Sequence, residues 1–416
     1  MKLEAIQAAE AKLLLPTYER NPILFVEGQG MYLIDENGER YLDLLSGIGV
    51  NALGYAHPAV TKAIEQQSRK LVHTSNLYFH QGQAELAMRL TQRTGLDRVF
   101  FCNSGTEAWE AAMKLARAYS GLKRSEGHAI GTKFLALENS FHGRTMGAVS
   151  TTHKDKYREP FQPLVPGVEF VRFNDVDHLR ANFSKEICAV LIEPIQGEGG
   201  IRPVSQEFFS AARELTRSTG ALLIADEIQS GLGRTGKWCA YQQFGIQPDV
   251  TTMAKPLAGG LPLGAMLCTE EASRAIHPGL HGTTFGGGPL ACAVAIAVIN
   301  AIEQENLLAN IRQTGAYFKS QLHDLAAKHE SVVDVRGMGL MLAMEMNSAD
   351  LAKQIVARML ARRILINRTS ETVLRFLPPY IMGREHVDIA VSALNEILSE
   401  ENASKNKGAT EWLAKH

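Results

Sequence analysis

Between residues 76 and 300 the chain alternates two kinds of apolar pattern. The segments "RVFFCNSG", "KFLALENSFHG", "AVLIEPIQGEGG", "ALLIADEIQSG" and "DVTTMAKPLAGG" each carry a short apolar run, of the kind that fills the middle of a parallel sheet, before turning polar. Longer stretches, "TEAWEAAMKLARAYSG" and "SQEFFSAARELTRSTG" among them, repeat their apolar residues at helical spacing. Strand–helix alternation of this kind predicts an α/β unit around a mostly parallel sheet. Ligands of such sheets gather at the carboxyl ends of the strands, so a polar residue that abruptly ends an apolar run marks a place to look for chemistry.

After about residue 305 the pattern changes. A long helical stretch, "NLLANIRQTGAYFKSQLHDLAAKH", precedes the strand-like runs "VVDVRGMGLMLAMEM", "RRILINRTS" and "VLRFLPPYI", which predict a smaller α+β domain. Near the N-terminus, "MYLIDENGERYLDLLSG" reads as a hairpin turning at Asn37-Gly38, placed to pack beside that domain. The expected organisation is an N-terminal segment over 1–55, a large domain over 56–305 and a small C-terminal domain over 306–416. A chain of 416 residues is long enough for two such cores. The first residues read as a short amphipathic helix stopped by Pro16. The most apolar stretch, "PLACAVAIAVINAI", is too short and too Ala-rich for a membrane span and reads as a buried helix.

Charge changes the picture only by exclusion. Lys plus Arg number 43 against 44 for Asp plus Glu, which gives no reason to expect nucleic acid or an anionic membrane as a partner. The five cysteines are scattered without CxxC spacing, against a zinc site or a disulfide framework, and imply a reducing, cytoplasmic setting.

Four motifs fall at predicted strand ends. In "NSGTEAWEAAMKLARAY", Ser104, Gly105 and Thr106 open a helix, where free N–H groups and the macrodipole favour a phosphate; an ordinary N-cap reads equally well. In "FHGRT", Phe141 offers a face for a planar ring and Arg144 a fork for a carboxylate; a surface loop fits too. In "LLIADEIQSG", Asp226 ends a buried strand, where an unpaired carboxylate costs several kcal/mol. It is either a turn cap or the partner of a fixed cation, and Gln229 stands three residues on to meet a ring substituent. In "VTTMAKPLAGG", Lys255 sits where desolvation favours the neutral amine, a Schiff-base nucleophile, although a lysine reaching out to solvent is the commoner case. The plain structural readings do not explain the set. A phosphate cradle, an aromatic face, an Asp for a ring nitrogen and a Lys for an aldehyde are the parts of one pyridoxal 5′-phosphate (PLP) site.

From "LLPTYERNPI" through "SGIGVNALGYAHP", "NSGTEA", "SFHGRT", "EPIQGEGG", "ADEIQSGLGRTG", "AKPLAGGLPLGA" and "HGTTFGGGPLACA" to "VLRFLPPYI", the chain resembles the class III (ω-amino acid) aminotransferases of fold type I, and within them the acetylornithine aminotransferases. The resemblance implies that Lys255 carries the cofactor and shuttles a proton. Asp226 would pair with the protonated ring nitrogen, so that the counter-charge of this carboxylate belongs to the cofactor and not to the protein. Gln229 would meet the phenolic oxygen, Phe141 would stack on the ring, and Gly105 and Thr106, with Ser104 beside them, would hold the phosphate. It also implies a homodimer in which Thr284 reaches the neighbouring subunit's phosphate, with Thr283 near the substrate. Arg144 would clamp the α-carboxylate of an ω-amino donor. Arg375 would take the α-carboxylate of glutamate, and Glu198 would neutralise it when no such carboxylate is present.

Ile48 stands where ornithine aminotransferases, by the same resemblance, place a tyrosine that meets a free α-amine. An apolar residue suits an acylated amine better, though 4-aminobutyrate enzymes also carry Ile there. The expected reaction moves the ω-amino group of N-acetyl-L-ornithine to 2-oxoglutarate. A 4-aminobutyrate, succinylornithine or ornithine aminotransferase is the alternative, and an aminomutase or decarboxylase on the same fold a further one. Trp109 and Gly288 replace the Asn usual in relatives, and Pro256 directly follows the lysine; Trp109 is expected to alter packing near the dimer contact.

Overall fold

The run Leu222–Asp226 forms the middle strand of a seven-stranded sheet in the computed structural model, which describes residues 2–413 and their side chains through residue 401. The strand order is Arg98–Cys102, Gly264–Cys268, Val250–Met253, Leu222–Asp226, Ile187–Ile192, Lys133–Leu137, Val168–Val171. Only Gly264–Cys268 runs against the others, so the sheet is mostly parallel, as the sequence predicts. Alternation along each strand divides its side chains between two cores. Leu222 and Ile224 face the helix Gly105–Ser125, whereas Leu223 and Ala225 join the larger core on the opposite face. With both faces covered, these strands need no polar face. Two of the strands, Val168–Val171 and Gly264–Cys268, are not separable by pattern from the loops around them.

The helices cap as their sequences suggest. Ser104 and Ser205 each accept a hydrogen bond from a backbone N–H of the first turn, opening the helices Gly105–Ser125 and Gln206–Thr219. Gly220, at φ +80°, ends the second of these in the left-handed region that favours glycine. The apolar stretch at 289–302 lies in the helix Pro289–Gln304, with Cys292, Val294, Val298 and Ile299 buried. Gly288 precedes it as an N-cap without a side chain. No single helix among the described residues is long and apolar enough to cross a membrane.

Beyond residue 305, the helix Leu307–Lys328 leads to a four-stranded antiparallel sheet ordered Val332–Met338, Met341–Met346, Val373–Phe376, Asn367–Thr369. The N-terminal hairpin does turn at Asn37-Gly38, and its strand Arg40–Asp43 pairs in parallel with Ile364–Leu365. Head and tail of the chain thus share one small sheet. The helix Leu3–Leu13 buries none of its residues in this chain.

Candidate active site

Four parallel strands end on the same edge of the large sheet and point their next residues into one cavity of about 310 Å³. Cys102 is followed by Asn103 and Ser104, Ile192 by Glu193, Met253 by Ala254 and Lys255, and Asp226 is itself the last residue of its strand. Among the predicted site residues, Ser104, Gly105, Thr106, Phe141, Glu198, Asp226, Gln229 and Lys255 all line this space.

One end of the cavity is the start of the helix Gly105–Ser125. Ser104 Oγ is committed to the cap, accepting from Glu107 N at 3.2 Å. Thr106 Oγ1 shares a 2.7 Å hydrogen bond with Thr145 Oγ1. Two glycines keep this end open. A Cβ on Gly105 would lie 2.8 Å from Ile228 Cγ2, and one on Gly143, at φ +135°, would lie 2.5 Å from Thr106 Oγ1.

Asp226 is 5% exposed and is held more fully than expected. Its Oδ1 accepts from Ile228 N at 3.0 Å and Thr252 Oγ1 at 3.2 Å, and its Oδ2 meets His142 Nδ1 at 2.6 Å. The carboxylate thus has protein hydrogen-bond partners besides the cofactor expected of it: the histidine of "FHGRT" folds onto it from 84 positions away. Trp109 lies flat against the other side of that imidazole. The tryptophan is fully buried beneath the cavity.

Lys255 opens a short 3-10 turn, Lys255–Ala258, in which Pro256 occupies an early position that needs no N–H donor. Burial lowers the pKa of the Lys255 amine, against the charges of Glu198 and Asp226, which pull it up. Glu193 accepts from Phe141 N at 2.9 Å and Gly197 N at 3.0 Å, tying the aromatic residue to the sheet edge. Burial, helped by the charge of Asp226, pushes the Glu193 carboxyl up to about 8.

At the far side, Arg375 is 1% exposed, and its Nη1 donates to Glu198 Oε1. Arg375 also reaches Asn367 Oδ1 at 3.1 Å and, at 3.4 Å, Gln229 Oε1. Burial would raise the Glu198 carboxyl, but the guanidinium outweighs it and the net shift is downward.

Ile48 lies outside this lining, in a turn where Ser46, Gly47, Ile48 and Gly49 all have positive φ, between 48° and 81°. A β-branched residue there costs about 1–2 kcal/mol. The turn is clamped by Ser46 Oγ donating to Leu377 O at 2.6 Å, and it places Gly49 against the side chain of Lys255. Arg144 is exposed, its guanidinium 4.0 Å from the centre of the Tyr157 ring. Thr283 Oγ1 accepts from Asn103 Nδ2 at 3.2 Å. Thr284 is exposed and lies away from this cavity, next to the exposed ring of Phe285.

PLP fits these residues. The carboxylate of Asp226 keeps an acceptor site toward the cavity for a ring N–H. The helix start offers N–H donors where two missing Cβ atoms leave room for a phosphate, and the buried amine of Lys255 lies within the same walls. Sequence reasoning had no role for His142, Glu193 or Ile228. His142 was visible as a polar residue beside Phe141, but nothing local in the sequence signals which carboxylate it meets.

Comparison with known proteins agrees with this chemistry. Residues 15–398 match the family model of aminotransferase class-III. The acetylornithine aminotransferase of Methanocaldococcus jannaschii is 45% identical over 394 residues, covering 94% of this chain and 97% of the relative. That of Aquifex aeolicus is 46% identical over 386 residues, covering 92% and 99%. Among solved structures, the ornithine aminotransferase of Toxoplasma gondii superposes with a TM-score of 0.91 at 30% identity, covering 97% of this chain and 96% of that one. The acetylornithine aminotransferase of Elizabethkingia anophelis superposes with a TM-score of 0.84 at 30% identity, covering 96% and 100%. This chain belongs to the class III aminotransferases, PLP-dependent enzymes of fold type I.

Proposed function

We propose that the protein moves the ω-amino group of N-acetyl-L-ornithine to 2-oxoglutarate, giving N-acetyl-L-glutamate 5-semialdehyde and L-glutamate. The observation that carries this reading is the ion pair between buried Arg375 and half-buried Glu198, the latter lining the cavity. Two half-reactions must share one pocket. An ω-amino donor presents no carboxylate next to the reacting amine, and in that half-reaction Glu198 keeps Arg375 neutralised. Glutamate brings its own α-carboxylate, which takes the guanidinium from Glu198. Exchanging one carboxylate for another avoids leaving a buried charge unpaired, which would cost several kcal/mol.

When bound, PLP supplies the electron sink that lets an amino group leave one carbon for another. Lys255 Nζ, kept toward its neutral form by burial, would take the proton from the amine-bearing carbon of the substrate and pass it on to the cofactor. Asp226 stays an acceptor for the ring N–H because its other lone pairs are already engaged by donors. Phe141, pinned by Glu193, covers one ring face, with Gln229 beside the phenolic oxygen. Ser104, Gly105 and Thr106 receive the phosphate. Arg144, exposed next to Tyr157, takes the donor's α-carboxylate, and apolar Ile48 leaves an acylated amine unopposed.

The active unit in this proposal is a homodimer. Leu77, Tyr78, Phe79 and Phe285 are exposed apolar side chains near Thr284, a grouping that a second copy would cover. In that dimer Thr284 serves the partner's phosphate, and Thr283 stays near the substrate through Asn103. The five buried, unpaired thiols suit a cytoplasmic location.

The relatives named acetylornithine aminotransferase, at 45% and 46% identity, support the donor. The test adds N-acetyl-L-ornithine, ornithine, succinylornithine and 4-aminobutyrate separately to PLP-loaded protein without an acceptor and follows the cofactor absorption band. Rapid, saturable conversion by acetylornithine ahead of the others is expected. Preference for a different donor overturns the substrate assignment, and no response to any of them or to glutamate overturns the reaction.

A further inference from the structure

Trp109 sits on the helix Gly105–Ser125, one turn past Thr106 and facing inward, 0% exposed. Its indole and the imidazole of His142 are parallel to within 4°, with centroids 3.8 Å apart. The indole edge is itself anchored, Nε1 donating to Thr151 Oγ1 at 2.9 Å. His142 is 2% exposed and uses Nδ1 on Asp226, while its Nε2 is buried with no hydrogen-bond partner. One hydrogen bond fixes the direction of a single ring atom but not the plane of the ring. The indole face supplies the second constraint: rotation of the imidazole about its Cβ–Cγ bond would drive its atoms into the indole.

Asp226 shows what that orientation secures. A carboxylate has about four acceptor sites. Ile228 N–H, Thr252 O–H and His142 Nδ1 occupy three of them, which leaves one on Oδ2 of a residue that lines the cavity. If the imidazole turns, Oδ2 loses its donor and the carboxylate is held through Oδ1 alone.

We propose that Trp109 is a positioning residue: stacked on His142 and anchored by Thr151, it holds the imidazole in the plane that locks Asp226 for the cofactor's ring nitrogen. The proposal rests on Asp226 being the partner of that nitrogen, as argued above. It gives Trp109, expected from the sequence only to alter packing near the dimer contact, a function at the site.

The test compares Trp109→Phe, Trp109→Leu, Thr151→Val and His142→Gln with the unaltered protein, using two readouts. The first, on the apoprotein, is the far-downfield proton resonance of a short imidazole–carboxylate hydrogen bond, assigned by its loss in His142→Gln. The second is the PLP dissociation constant from titration of the apoprotein. Trp109→Phe keeps a flat ring and is expected to keep both. Trp109→Leu is expected to broaden the resonance through solvent exchange and to weaken PLP binding about tenfold, equivalent to ~1.4 kcal/mol. Thr151→Val removes the indole anchor at nearly constant volume, together with the hydroxyl's own bond to Ala148 O at 3.0 Å, and should weaken binding about threefold.

An unchanged resonance and affinity in folded Trp109→Leu and Thr151→Val proteins overturns the proposal and leaves Trp109 as core packing. Should the leucine variant fail to fold, Thr151→Val decides alone. Asp226→Ala is run beside them. Unchanged PLP affinity there removes the reading on which the proposal rests, whereas the resonance reports on the Trp109–His142 pair by itself.

Discussion

Arg375 donates to Glu198 from the strand Val373–Phe376 across to the loop that follows Ile195–Gln196, tying the small sheet to a loop that lines the cavity. The arginine is almost fully enclosed while the glutamate side chain keeps some access to solvent. The pair is therefore asymmetric. Glu198 has somewhere to go when a substrate carboxylate arrives, and Arg375 does not.

Replacing Glu198 with Ala exposes that asymmetry. Arg375 then stands permanently open, and the half-reaction with glutamate is expected to gain relative to that with the ω-amino donor by about tenfold to a hundredfold, the worth of ~1.4–3 kcal/mol in a buried pair. Single-turnover rates for each donor, measured separately, check this. An unchanged ratio would remove the switching role of Glu198.

Glu227, the neighbour of Asp226, is 1% exposed and accepts from Ser230 Oγ at 2.6 Å and Tyr241 N at 2.8 Å. Burial pushes its carboxyl up to about 7 from an ordinary 4.5. Because the folded state binds this proton more tightly than the unfolded state, its contribution is complete below pH 4.5 and is lost as pH rises through about 7. Glu227→Gln carries no such proton, so its apoprotein stability should fall less between those pH values. The difference is at most on the order of 3 kcal/mol. Denaturant midpoints of both proteins across the window measure it, and parallel curves would refute the linkage.

Gly105→Ala separates folding from cofactor binding. Alanine is the better helix former by about 0.8–1 kcal/mol, so stability of the apoprotein should hold or rise. The added methyl nevertheless meets Ile228 at 2.8 Å and must displace it into the cavity. PLP affinity is expected to drop about tenfold or more, a shift of ~1.4 kcal/mol, in a titration of the apoprotein. An affinity unchanged from the parent would mean that Ile228 yields in another direction.

The proposed sharing of each site between two subunits predicts complementation. Lys255→Ala and Thr284→Ala proteins, each mixed only with itself, carry a defect in every site. A hybrid of the two has one site with both residues intact, so unfolding and refolding them together should restore up to about a quarter of the parent activity, from half the dimers with half their sites. No recovery beyond the sum of the separate proteins would place Thr284 outside the partner's site.

Much of the site was legible because each element of it lies at an abrupt change of pattern. Asp226 ends an apolar run, Lys255 follows one, and Ser104 to Thr106 open a helix directly after one. A strand that must be buried on both faces announces its end by its first tolerated charge. Ile48 and Thr284 were different. No local pattern distinguishes them from other loop residues, and only the resemblance to a family pointed to them. The structure sets both outside the main lining, as it does Arg144 of "FHGRT", with Ile48 on a left-handed turn and the two others exposed.

What the sequence determined by itself was the set of chemical parts and the edge of the sheet on which they stand, since periodicity and strand ends are local properties of the chain. What only the tertiary structure decided was who meets whom. His142 reaches Asp226 across 84 positions, Arg375 reaches Glu198 across 177, and Trp109 stacks on His142 through the packing of a helix against a loop. Such pairings depend on how separate strands are ordered in the sheet. That order is set by the sum of many weak apolar contacts, and no single stretch of sequence carries it.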